Sequence, residues 1–76
     1  MPKFANHSEE ATAFLRSKTG SIQLECYTYI DPEEAADSFF IVKTSNKVIS
    51  VSFAEISYDP KSYQSLLEGL YRVIYE

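Results

Sequence analysis

The chain has 76 residues, with 7 Lys and Arg against 11 Asp and Glu for a formal charge of −4, and 45% of its residues are hydrophobic and 14% aromatic. At this length a domain buries only roughly 60% of its unfolded surface, so one compact domain over residues 1–76 is expected, with about 4–11 kcal/mol of net stability. One Cys and one His exclude an internal disulfide and a four-ligand zinc site, and the excess of acids argues against direct binding of nucleic acid, whose affinity rests on Lys and Arg.

From Asn6 to Lys18 the sequence sets Ala11, Phe14 and Leu15 on one face, with Glu9, Glu10, Arg16 and Lys18 around the rest, which predicts a short amphipathic helix. Two starts fit: Asn6 with Glu9 as a capping box, or Ser8 with acids in the first turn. Lys18 in the last turn and Gly20 at the cap end it by Thr19. Ser21 to Ile30 then alternates, with Ile22, Leu24, Cys26, Thr28 and Ile30 on one face and Gln23, Glu25, Tyr27 and Tyr29 on the other, which predicts the first strand. Asp31-Pro32-Glu33-Glu34-Ala35-Ala36-Asp37 carries helix-start signals without the length to continue, so a single helical turn is expected between strands one and two.

Ser38–Thr44 and Lys47–Ile56 are rich in β-branched and aromatic residues, and Ser45-Asn46 between them suits a tight hairpin because Asn tolerates positive φ. A two-residue loop sets Val42 opposite Ile49, Phe40 opposite Val51 and Ser38 opposite Phe53, placing those apolar residues on a core face. Phe39, Ile41, Lys43, Val48, Ser50 and Ser52 fall on the other side, and a one-residue slip would exchange the two sets. Asp59-Pro60 repeats the capping signature before Tyr63, Leu66, Leu67, Leu70, Val73 and Ile74 at helical spacing. Gly69 costs this helix about 1 kcal/mol against Ala, and marks either a close approach or a surface position.

The expected fold is therefore α+β and two-layered: a three-stranded antiparallel meander with two helices on one face, in the order α-β-β-β-α. Double-stranded-RNA-binding domains share that order, but they place a lysine cluster at the start of the last helix. Here Asp59-Pro60-Lys61-Ser62-Tyr63 holds one base, so the order carries no function.

Few residues offer chemistry. His7 lies at the first helix start without an evident partner, and Cys26 sits mid-strand on the apolar face, where a thiol behaves as a small hydrophobe. The carboxylate pairs Glu9-Glu10, Glu33-Glu34 and Glu55-Asp59 lie in no expected pocket, since so short a chain rarely encloses a cleft of roughly 300 Å³. No phosphate loop, zinc-protease helix, calcium loop or serine elbow is present, so neither enzymatic activity nor a cofactor or metal is expected. No apolar run approaches the roughly 20 residues of a membrane span, and Met1-Pro2-Lys3-Phe4-Ala5-Asn6 lacks a leader's apolar stretch, which reads as cytoplasmic.

Surface placement says more. Asp31, Glu33, Glu34 and Asp37 form one base-free stretch and Glu55 and Asp59 another, and the meander brings both to one edge of the sheet. Capping and solubility account for these acids on one reading; on the other they form a negative patch for a basic partner. Tyr27, Tyr29, Phe39 and Ile41 point to the sheet face that no expected element covers, apart from the segment around Phe4. The function this favours is a small non-enzymatic module that binds a protein with a basic, partly apolar surface. Size and charge are also those of mobile-element inhibitors such as anti-CRISPR or anti-restriction proteins. The alternative is a structural or homodimeric subunit pairing through the uncovered face.

Overall fold

A computed structural model describes residues 4–76; Met1–Lys3, part of the stretch considered above as a leader, lie outside the described residues. The fold is α+β, with β1 (Asn6–His7), α1 (Glu9–Thr19), β2 (Glu25–Tyr29), β3 (Phe39–Lys43), β4 (Val48–Ser52) and α2 (Tyr63–Tyr75), and 3-10 turns at Ala35–Asp37 and Phe53–Glu55. The strands lie side by side in chain order, each antiparallel to the next.

The expected three strands are thus corrected to four. The added strand pairs only Asn6 with Thr28 and His7 with Tyr27, and two residues are too few for alternation to reveal. It also excludes Asn6 as the helix start. Ser8 caps α1 instead, its hydroxyl accepting the Ala11 N–H at 3.2 Å with Glu9 and Glu10 in the first turn, and Gly20 ends the helix in the left-handed conformation at φ 75°.

Strand β2 is shorter than the expected Ser21–Ile30. Ile22 is 81% exposed and Ile30 59% exposed, so the alternation that assigned them to the core ran past both ends of the ladder. The β3–β4 register matches the expectation, with Val42 opposite Ile49 and Phe40 opposite Val51. The turn itself differs from the expectation: among the described residues only Gly20 has positive φ, so Asn46 is not left-handed. The hairpin is closed by the Thr44 N–H donating to the Lys47 carbonyl at 2.9 Å and by the Thr44 hydroxyl donating to Asn46 Oδ1 at 3.1 Å. Beyond Ser52 the expected strand to Ile56 gives way to a 3-10 turn, because Ser52 and Glu55 form a capping box.

Both helices cover one sheet face. Ala11 and Leu15 of α1 and Leu66, Leu67 and Leu70 of α2 pack in one cluster with Leu24, Cys26, Phe40, Val42, Val51, Phe53 and Ile56. Helix α2 is capped by Ser62, whose hydroxyl accepts the Ser65 N–H at 3.1 Å, and not by Asp59 as the Asp-Pro signature suggests. Asp59 forms a preceding turn, accepting the Lys61 N–H at 2.9 Å and donating its own N–H to the Ser65 hydroxyl at 2.9 Å.

Gly69 is buried against the segment leading into α2. A Cβ there would lie 2.5 Å from Ile56 Cγ2 and 2.8 Å from the Ser57 carbonyl oxygen, and the latter is backbone that cannot swing away. Gly69→Ala is therefore expected to lower stability by about 1–3 kcal/mol in denaturant unfolding, even though alanine is the better helix former by about 1 kcal/mol. A neutral or stabilised variant would contradict this packing.

Candidate functional site

The two acidic stretches meet. The 3-10 turns at Ala35–Asp37 and Phe53–Glu55 pack together, and the Ser52 hydroxyl donates to the Ala36 carbonyl at 3.1 Å. The acids within them divide by role. Asp31 Oδ1 accepts the N–H groups of Glu33 and Glu34 at 2.9 and 3.0 Å, an Asx turn, and the Asp31 N–H donates to the buried Ser38 hydroxyl at 2.9 Å. Glu55 Oε2 accepts the Ser52 N–H at 2.9 Å, and Asp59 holds the turn before α2. These three act on the backbone. Glu33, Glu34 and Asp37 are exposed and their carboxylates make no hydrogen bond or ion pair among the described residues.

Tyr27, Tyr29, Phe39 and Ile41 share the sheet face opposite the helices, each half-buried. Tyr29 and Phe39 are direct cross-strand partners and stack at 5.3 Å with a 28° interplanar angle. The Tyr29 hydroxyl reaches Asp31 Oδ2 at 3.4 Å, joining this pair to the acidic loop. At the other end of the face, the Lys43 ammonium sits 5.3 Å from the Tyr27 ring centroid. Phe4 and Ala5 line a shallow cleft of about 270 Å³ with Tyr27, Ile41 and Lys43, so the N-terminal segment borders the face, and Phe4 itself is 71% exposed. Thus the face bears aromatics throughout, with free acids at one end and a lysine at the other.

Two further clefts lie on the helical side. One, of about 280 Å³, opens between the acidic loop and the start of α2, with Ile30, Asp31, Tyr58 and Tyr63 among its walls. The other, of about 310 Å³, holds a cluster that the sequence did not reveal: His7 Nε2 bonds Glu25 Oε2, and Arg16 Nη2 donates to Glu25 Oε1 at 2.6 Å. His7 also meets the Tyr27 ring edge-on at 5.3 Å. Only β1 brings His7 there, and so short a strand leaves no periodic signal. The nearby Thr12 hydroxyl accepts the Cys26 N–H at 2.9 Å and donates to the Cys26 carbonyl at 3.3 Å, so it is committed to the backbone rather than poised as a nucleophile. Among the described residues no group of three His, Cys, Asp or Glu side chains is placed to hold a metal, and no helix is long and apolar enough to cross a membrane.

No protein-family model, no curated protein and no solved structure matches the chain. Its class is therefore defined by its own geometry: a two-layer α+β domain whose sheet keeps one aromatic face clear of helices and carries acids at one end.

Cys26 belongs to the core. Burial pushes its thiol from an ordinary 9.0 up to about 12, so the neutral form persists in the folded protein where the unfolded chain would ionise. The contribution of this group to stability is whole below pH 9 and falls as pH rises from 9 toward about 12. Native protein at pH 8 is expected to resist iodoacetamide and to react fully once unfolded in guanidinium; rapid labelling of folded protein would show that the thiol is reachable.

Proposed function

We propose that this domain is a non-enzymatic binding module that engages a partner protein through the aromatic sheet face and the free acids at its end. The observation that carries this reading is the adjacency of Glu33, Glu34 and Asp37, which make no ion pair among the described residues, to the stacked Tyr29–Phe39 pair. A complementary partner surface is basic opposite the loop and partly apolar opposite the rings. Acids steer and orient the encounter, whereas the aromatic anchors supply most of the retained affinity. Occupying a basic groove of another protein is how an inhibitor of the anti-CRISPR or anti-restriction kind would act, and this is the role we assign as the working reading. Asp31, Glu55 and Asp59 support the loop and are not contact residues in this scheme.

Two variants separate the contributions. Glu33→Lys/Glu34→Lys/Asp37→Lys is expected to slow association with the partner captured from source cells by about tenfold or more at low salt, with the difference shrinking as salt is added. Tyr29→Ala/Phe39→Ala is expected to raise the dissociation rate, at a cost of about 2 kcal/mol or more. Thermal melts confirm that each variant is folded. Unchanged capture and unchanged kinetics in both folded variants would overturn the proposal.

A further inference from the structure

The two edges of the sheet are finished differently. At the β2 edge, beyond the short β1 pairing, the outward backbone groups of Cys26 and the Leu24 carbonyl are taken by other parts of the fold. Ser8 N–H donates to the Cys26 carbonyl at 2.9 Å, Thr12 holds the Cys26 N–H, and Arg16 Nε donates to the Leu24 carbonyl at 2.8 Å. At the other edge, β4 has no strand on its outer side among the described residues. Its hydrogen bonds to β3 alternate, starting from the Thr44–Lys47 pair and ending where the Phe53 N–H donates to the Ser38 carbonyl at 2.9 Å. Ile49 and Val51 therefore face β3, and the N–H and C=O groups of Val48 and Ser50 point outward. Ser52 is outward too, but its N–H is taken by Glu55.

This edge lacks the usual protections. Val48-Ile49-Ser50-Val51-Ser52 contains no charge, proline or glycine, and Val48 is 63% exposed. We infer that β4 is a pairing edge for a second copy of this chain, joined antiparallel about a two-fold axis at Ile49 with Val48 opposite Ser50 of the other copy. That register uses all four free groups on each side: each Ser50 N–H meets a Val48 carbonyl and each Val48 N–H a Ser50 carbonyl.

Charge selects a second copy over a foreign strand. Lys47 lies at one end of β4, and the Glu55 carboxylate sits on the outward Ser52 N–H at the other. Under the two-fold operation Ser52 stands opposite Asn46 of the other copy, so each Glu55 carboxylate comes beside the neighbour's Lys47 and the strand is its own complement. The result is one continuous eight-stranded sheet in which the two aromatic faces lie side by side. This assignment is independent of the partner-binding proposal, since it uses the edge and makes no use of Tyr29 or Phe39.

An edge contact of this kind is small, so a dissociation constant of about 0.1–1 mM is expected. Sedimentation equilibrium should show the mass climbing from one chain toward two across that range, and amide exchange at Val48 and Ser50 should slow in parallel. Ser50→Pro removes an outward donor without touching the β3–β4 ladder and should weaken association about tenfold or more. Val48→Lys places a charge on the edge while leaving the core alone, and carries the test if the proline variant fails to fold. Lys47→Glu, which sets two acids together, should weaken it as well. A wild type that stays monomeric throughout would overturn the proposal. So would a dimer that survives the folded edge variants yet is lost in Tyr29→Ala/Phe39→Ala, because pairing would then run through the face. Protection of Val48 and Ser50 that appears only with a different protein present would assign the edge to a foreign strand and equally overturn it.

Discussion

The Ser45–Asn46 turn decides which way every residue of the sheet points. Closing Thr44 on Lys47 with two residues between them fixes Val42 against Ile49 and Phe40 against Val51, and β2 inherits the parity through Tyr27 against Ile41. Slipping β4 by one residue against β3 would send Ile49 and Val51 to water and bring Ser50 and Ser52 inward. Each large side chain so exposed forfeits about 1.5–3 kcal/mol, a large share of the stability available to a chain of this length. The same parity turns the backbone of Val48 and Ser50 outward, so core, open face and free edge follow from one short loop. Because Asn46 is not left-handed, the loop is held by Thr44, whose N–H and hydroxyl both bond within it.

Acidic residues here serve two ends that composition cannot separate. Asp31, Glu55 and Asp59 terminate or start turns by accepting backbone N–H groups, which fixes their carboxylates within the fold while leaving their charge in place. Their work nonetheless benefits the others. The Asp31–Ser38 bond and the Ser52–Ala36 bond close the acidic loop on both sides, so Glu33, Glu34 and Asp37 are displayed on a backbone already ordered by folding. A partner meeting them would bear less of the ordering cost that weakens contacts made by floppy loops.

What was readable in the sequence was whatever repeats. The alternation through Leu24 and Cys26, the paired runs flanking Ser45-Asn46 and the three-and-four spacing of Leu66, Leu67 and Leu70 each predicted a buried face that the structure has. Features made by a single contact were not readable. Strand β1 is two residues, and with it went the His7–Glu25–Arg16 cluster, which joins residues far apart in the chain. Ile22 and Ile30 kept the alternating pattern after the hydrogen-bonded ladder had ended, since hydrophobic pattern reports side chains while pairing limits strands. Asp59-Pro60 carried the usual marks of a helix start, yet Ser62 sits where its hydroxyl meets the Ser65 N–H, so a local turn won over a longer helix. The candidate surface was legible in its members and illegible in its division of labour, because capping and free carboxylates look alike until the N–H groups are placed.

Net charge is for this reason a poor description of how the molecule presents itself. The Cα envelope measures 34 × 28 × 19 Å, whereas charge is screened over about 8–10 Å at ordinary ionic strength. A partner approaching one end does not sense the other. The hairpin end offers Lys43 and Lys47, with Glu25 across from Lys43, and the opposite end Glu33, Glu34 and Asp37, so these exposed acids lie at one end of the strands and two lysines at the other. A partner matched to such a surface must be polarised along the strands in the reverse sense. A second copy laid antiparallel along the same sheet has that polarity by symmetry, and a foreign partner on the aromatic face would have to supply it with a basic patch set at one end of its own apolar surface.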